Sequence, residues 1–125
     1  MMFHYWKKKL GLLDWTIDFQ YNVEPEDMCV ADSCGCTSWR EEVKIAVVQI
    51  LRPDRYRNQV VPFDVEKTIV HELLHLKLSF LSNEDGDLQD RIAHQLIDDL
   101  ARAFVNVRRE HKIAKETIAH EEPND

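Results

Sequence analysis

Residues 71–75 read His71-Glu72-Leu73-Leu74-His75 and lie within an otherwise apolar run. Residues four apart lie on one face of an α-helix, so a helix here presents both imidazoles to a single metal ion. Glu72 then lies beside that ion, placed to take a proton from metal-activated water rather than to bind the metal. Zinc accepts imidazole nitrogen and can keep one coordination position open for water. The pattern predicts a helical zinc site, against the alternative of two ordinary histidines on an amphipathic helix.

Hydrophobic periodicity predicts the elements around this helix. Apolar residues alternate with polar ones from Trp15 to Val23, which is typical of a half-buried strand. A cysteine-bearing loop follows, and a second strand is predicted over residues 39–51. Helices are predicted over residues 3–11, closed by Gly11; over 65–81, with Asp64 as N-cap; and over 87–109, before a frayed tail at about 111–125. The order predicts one α+β domain over residues 1–125, with a short β-sheet packed on the motif helix and on a second long helix.

A catalytic zinc usually takes three protein ligands, so a third must come from outside the motif. On a helical wheel of the second helix, His94 falls at the edge of the apolar stripe and Asp98 falls further out. Glu84, in the turn between the helices, would have to fold back roughly 10 Å. His94 is therefore the favoured third ligand. Asp98 is then an ion-pair partner, or an acceptor that orients His94.

Three cysteines, Cys29, Cys34 and Cys36, lie close together before the second predicted strand. Their spacing does not match the usual zinc-binding pairs, which favours a role other than metal binding, while a redox pair or a disulfide stays open. The odd count and the lack of an export signal lead us to expect a reducing, cytoplasmic location.

Composition excludes some classes of partner. The chain has 125 residues with a net charge of -7 and a pI near 5.3, which argues against nucleic-acid binding. No apolar run approaches the ~20 residues of a membrane-spanning helix. The sequence does not indicate an oligomeric state.

The motif at residues 71–76, the helix ending at residues 100–103 and the order of the predicted elements together resemble the zincin metallopeptidases. More narrowly, the chain resembles the small zincin-like proteins carried by phages and prophages. The resemblance implies a sheet whose edge strand, here residues 40–50, runs beside the motif helix and binds a substrate peptide as an added strand. In gluzincins the third ligand is a glutamate on the following helix; here the position of comparable spacing holds His94.

The favoured function is a zinc-dependent peptidase acting on a peptide or protein, with Zn²⁺ on His71, His75 and His94 and Glu72 as general base. The alternative is a zinc-binding, zincin-like domain without catalysis that serves as a structural or partner-binding protein. A fourth protein ligand, such as Asp98 or a cysteine, would favour that alternative because it closes the site.

Two further assignments are weaker. A resemblance to metal-dependent RNases built on a related histidine helix would call for a third histidine six residues after His75, where Leu81 stands. The acidic charge also disfavours RNA. The group that stabilises the oxyanion is not identified; Tyr56 and His111 are candidates, although a surface role suits each of them better.

Overall fold

The computed structural model describes residues 2–57, 60–79 and 87–121. Its helices are α1 (Met2–Lys9), α2 (Val65–Lys77) and α3 (Asp87–Glu121), and its strands are β1 (Thr16–Val23), β2 (Gly35–Arg40) and β3 (Ile45–Leu51). Short 3-10 turns occupy Pro25–Asp27 and Pro53–Arg55. The predicted α+β class is confirmed, because the described residues form a three-stranded sheet that packs against helices.

The sheet has the order β1-β3-β2, with β1 parallel and β2 antiparallel to the central strand β3. The single strand predicted over residues 39–51 is therefore wrong, since the chain reverses direction between Arg40 and Ile45. Lys44 makes the reversal with a φ of 52°. Residues 41–44 contain no Gly, Pro, Asn or Asp, so the usual chemical signal for a turn is absent from the sequence.

This hairpin also changes which strand forms the edge of the sheet. Strand β3 is paired on both sides, so the expectation that residues 40–50 form the edge strand beside the motif helix is wrong. The edge strand beside the motif helix is β2, which packs directly on α2. The residues that line the motif helix on this side are therefore those of Gly35–Arg40.

Strand β1 begins as predicted but does not keep one face on the core. Its pairing with β3 shifts register between Gln20 and Val23, and Asn22 there has a φ of 57°. An irregularity of this kind reverses the alternation of faces. Tyr21, predicted to face the core, is 53% exposed as a result, and Val23 packs in a separate small cluster on Met28.

The main core lies between the sheet and the two long helices. Helix α3 contributes residues four apart, and each fully buried aliphatic side chain stabilises the fold by about 1.5–3 kcal/mol. The buried members are Trp6, Leu12, Trp15, Ala46, Val48, Ile50, Ile69, Val70, Leu73, Leu74, Leu76, Ile97, Ala101 and Val105. Because α2 and α3 share this core, their facing residues are held at fixed positions.

A buried carboxylate, Glu66, ties the three helices together at the start of α2. Trp6 of α1 donates its indole N–H to Glu66 over 2.8 Å. Arg108 and Arg109 of α3 form ion pairs with the same carboxylate. Buried carboxylates require such partners, so this group fixes α2 relative to α3.

The helix ends agree with the predictions at some points and differ at others. Gly11 follows α1 with a φ of 71°, and Asp64 caps α2 by accepting the Lys67 N–H over 3.1 Å; both were predicted. Helix α2 ends at Lys77, so residues 78 and 79 of its predicted span lie beyond its end, and residues 80 and 81 lie outside the described residues. Helix α3 continues to Glu121, past the predicted end and into the tail expected to fray.

The predicted turn at residues 82–86, with the candidate ligand Glu84, lies outside the described residues. None of the helices in the described ranges is long and apolar enough to cross a membrane.

Candidate metal centre

Helices α2 and α3 bring three imidazoles together. His71 and His75 lie one turn apart on α2, and His94 faces them from α3. Each offers one ligand nitrogen, and these nitrogens all lie within 4.8 Å of one another. The ring centroids of His75 and His94 are 4.9 Å apart. The three residues favoured as ligands from the sequence are thus neighbours in space, and their role as ligands stays a prediction.

The chemistry of this donor set fits zinc. Burial lowers the pKa of His71, and burial with the neighbouring histidines lowers the pKa of His75 to about 4. Both imidazoles are therefore neutral near pH 7, which is the form that binds metals. Three histidine nitrogens are also a known zinc ligand set that leaves a fourth position open. Among the described residues, neither Asp98 nor a cysteine belongs to this group.

Asp98 lies beside the site and contacts a different histidine from the one expected. Its carboxylate is 3.7 Å from Nδ1 of His71, and it forms ion pairs with Arg102 at 2.8 Å and Lys67 at 3.5 Å. The predicted ion-pair role is confirmed. The predicted contact with His94 is replaced by one with His71, whose Nδ1 side faces the carboxylate. At 3.7 Å this contact is longer than a hydrogen bond, so Asp98 supplies a negative charge beside the His71 ring rather than a direct acceptor.

Glu72 follows His71 on α2, lines the same cleft as the three histidines and is only 6% exposed. Burial raises its pKa to about 7, while a hydrogen bond from Thr37 acts in the opposite direction. The Thr37 hydroxyl donates to Oε1 of Glu72 over 2.7 Å and also lies 3.3 Å from the Glu72 carbonyl oxygen. A carboxyl group that titrates near neutral pH suits proton transfer.

Gly35 allows β2 to approach this carboxylate closely. A Cβ at that position would lie 2.8 Å from Oε2 of Glu72 and 2.9 Å from the Thr68 methyl carbon. Both distances are below normal van der Waals contact, so a larger residue would displace the strand or the carboxylate. The edge strand therefore holds Glu72 between a hydroxyl on one side and a glycine on the other.

The site opens into a cleft of about 940 Å³ between β2, α2 and α3. Trp39 forms part of its wall and stacks on His75, with ring centroids 6.5 Å apart. Tyr56 and Phe63 line the same cleft, and the Tyr56 hydroxyl donates to the Val61 carbonyl. Tyr56 is thus at the cleft as one candidate for oxyanion stabilisation, whereas His111 is exposed on α3 and does not line it.

The cysteines are divided between a disulfide and a free thiol. Cys29 and Cys36 form a disulfide with Cα atoms 6.1 Å apart, which is one of the alternatives that the sequence left open. Cys34 is free and lines the cleft, and burial raises the pKa of its thiol. A raised pKa keeps the thiol protonated and a weak metal ligand.

Sequence reasoning missed Gly35, Thr37 and Trp39. They alternate along β2, so all three face α2. This alternation could have indicated a strand, but the strand predicted from the sequence began at residue 39, after Gly35 and Thr37. The missing turn signal at residues 41–44 concealed the hairpin that would have placed them in a strand.

A scan against protein-family models matches none of them, and searches of curated proteins and of solved structures return no match.

Proposed function

We propose that this chain is a zinc-dependent peptidase with a zincin-like site. The observation that carries the proposal is the set of three histidine nitrogens within 4.8 Å of one another, next to the buried Glu72. His71, His75 and His94 would hold the ion. Zinc bound there would polarise a carbonyl and make water a nucleophile near neutral pH.

In this proposal Glu72 moves the protons. It accepts a proton from the attacking water and later donates it to the leaving amine. Thr37 and Gly35 hold its carboxylate against β2, and the Asp98 carboxylate lies 3.7 Å from Nδ1 of His71. Positioning of this kind matters because a displacement of about 1 Å can reduce turnover about 100-fold.

The shape of the cleft suits an extended peptide or protein segment. Within the described residues, β2 pairs with β3 alone, so its other edge is open for backbone hydrogen bonds. A peptide added to that edge would pass the histidines, which line the same cleft as β2. The wall formed by Trp39 and Phe63 offers apolar contact to its side chains.

The first experiment is metal analysis of untagged protein by mass spectrometry, with wild type beside His94→Ala. We expect about one zinc per chain in the wild type and a sharp loss in the variant. His111→Ala is the matched control, because it removes an exposed imidazole from the same helix. Zinc retained by His94→Ala would contradict a three-histidine site.

The second experiment compares hydrolysis of a peptide mixture by wild type and Glu72→Gln, both loaded with zinc. We expect Glu72→Gln to keep zinc and lose turnover by at least about 100-fold. Glu42→Gln, in the exposed turn before β3, is the control for a lost carboxylate. Equal turnover in Glu72→Gln would refute the mechanism. Zinc without any hydrolysis in the wild type would favour the non-catalytic alternative.

A further inference from the structure

A carboxylate at the end of the edge strand lines the cleft with one oxygen free. Glu41 follows Arg40, the last residue of β2, and it lies in the cleft wall together with Trp39. Ser79, which is 8% exposed, donates its hydroxyl to Oε1 of Glu41 over 3.3 Å. Among the described residues, no group donates to Oε2. The Glu41 carboxylate is therefore held in place without being neutralised.

The cleft around Glu41 is more acidic than the chain as a whole. The full sequence has 23 acidic and 16 basic residues. Of the described residues that line the cleft, six carry a carboxyl group and one, Lys67, carries a basic side chain. Lys67 is already paired with Asp98 at 3.5 Å, and Arg40 belongs to the opposite face of β2 from Trp39. A cationic group that enters the cleft is therefore attracted to Glu41 without competition from a free basic side chain of this lining.

Helix α2 sets the distance from Glu41 to the histidines. Its partner Ser79 lies four residues after His75, which is about one helical turn, or ~6 Å, along the axis. An extended peptide advances by about 3.3 Å per residue, so this distance corresponds to about two residues of a bound peptide. Trp39 connects the two places, because it stacks on His75 and precedes Glu41 by two residues.

Trp39 and Glu41 together suit a cationic side chain. Of the aromatic side chains, the indole of tryptophan attracts cations most strongly. A carboxylate with a free oxygen accepts charge-assisted hydrogen bonds from an ammonium or a guanidinium group. The alkyl part of lysine or arginine packs on apolar surface while its charged end reaches a polar partner. An acidic side chain would instead be repelled by Glu41.

We propose that Trp39 and Glu41 form a subsite for a lysine or arginine side chain of the substrate, about two residues from the bond that is cleaved. The substrates are then basic peptides or basic protein segments, and Glu41 determines the specificity. This inference rests on the proposed peptidase function, because a peptide that runs along β2 past the histidines defines the subsite. Glu41 takes no part in the proton transfers assigned to Glu72.

Peptide binding tests the subsite separately from cleavage. The protein is the Glu72→Gln variant incubated with zinc, so that the peptide stays intact. The probes are two fluorescein-labelled nonapeptides of alanine and serine, one with arginine and one with citrulline at the centre. Citrulline has nearly the shape of arginine without its charge, so the ratio of the two dissociation constants measures the charge preference. We expect fluorescence anisotropy to show that arginine is preferred at least about fivefold.

Glu41→Gln and Glu42→Gln, each added to that variant, separate the subsite from the general charge of the chain. Both residues are exposed in the turn after β2, and both substitutions change the net charge by one unit, but only Glu41 lines the cleft. We expect Glu41→Gln to abolish the preference for arginine and Glu42→Gln to keep it. An equal loss in both variants, or no preference before either substitution, would overturn the proposal.

Cleavage of the arginine peptide by zinc-loaded wild type distinguishes a failure of the subsite from a failure of the peptidase. We expect mass spectrometry of the fragments to place the cut about two residues from the arginine. Cleavage at scattered positions, with no preference for arginine in binding, would refute the subsite and leave the peptidase standing. A preference that Glu41→Gln abolishes, without any cleavage by the wild type, would support the subsite and refute the peptidase.

Discussion

Gly35→Ala tests the close packing of the edge strand on the candidate general base. The added Cβ would lie 2.8 Å from Oε2 of Glu72, 2.9 Å from its Cγ and 2.9 Å from the Thr68 methyl carbon. Ordinary contact begins near 3.4 Å, so both neighbours must move by about 0.5 Å, and both of them lie on the helix that carries the histidines. The strain falls on two elements of the core rather than on a flexible surface group.

Overpacking of this kind typically destabilises a protein by about 1–3 kcal/mol. Replacing glycine also lowers the conformational entropy of the unfolded chain, which stabilises the folded protein by about 0.4–1 kcal/mol. We therefore expect Gly35→Ala to reduce the free energy of unfolding by about 1–2 kcal/mol, measured by urea denaturation. We expect zinc content to be kept and turnover to fall by about 10–100-fold, because the carboxylate is displaced.

Gly11→Ala is the matched control. Gly11 has a φ of 71°, so alanine there is strained, by about 1 kcal/mol, while the added Cβ meets only the end of the Lys77 side chain at 3.2 Å. This variant should lose similar stability without losing turnover. Wild-type stability and turnover in Gly35→Ala would refute the reasoning, and equal loss of turnover in both variants would attribute the effect to stability alone.

Two further predictions concern other contacts of α2. Thr37→Val should reduce the free energy of unfolding by about 1–3 kcal/mol and reduce turnover, because it removes the hydrogen bond to Glu72. Thr37→Ser keeps the hydroxyl and should behave like the wild type. Unfolding curves and peptide assays of both variants check these expectations. Asp64→Asn keeps the N-cap but removes the charge paired with Arg109, and should reduce stability by about 1 kcal/mol at pH 7. The hydrogen bond from Arg109 lowers the Asp64 pKa below 3.8. The difference in unfolding free energy between wild type and Asp64→Asn should therefore be fully present above pH 3.8 and shrink as the pH falls below it. The same difference at about pH 3 as at pH 7 would contradict this reasoning.

The helices could be predicted because their signals are local. Asp64 as N-cap, His71 and His75 on one face of α2, and His94 at the edge of the apolar face of α3 follow from spacing along each helix. The described structure agrees on Asp64, His71 and His75, and it places His94 near both α2 histidines although its side chain is exposed. Apolar periodicity selects the buried face, and polar residues on that face must then lie near one another.

The strands were predicted less well because their pairing is not local. The hairpin turn at residues 41–44 has no turn residue to mark it, and the irregularity at Asn22 depends on pairing with β3. Asp98 could be placed near the histidines, but the ring it would contact depends on how α3 crosses α2. Thr37 entered the site only because β2 turned out to be the edge strand on that helix.

Spacing along α2 and α3 is enough to predict which three imidazoles and which carboxylate can come together. The groups that surround them follow only from how the strands and helices pack. This packing placed Gly35 and Thr37 against Glu72, Asp98 against His71, and Glu66 between the helices. The physical reason is that spacing along a helix fixes a side chain's direction, whereas the neighbour it meets depends on packing between segments far apart in the chain.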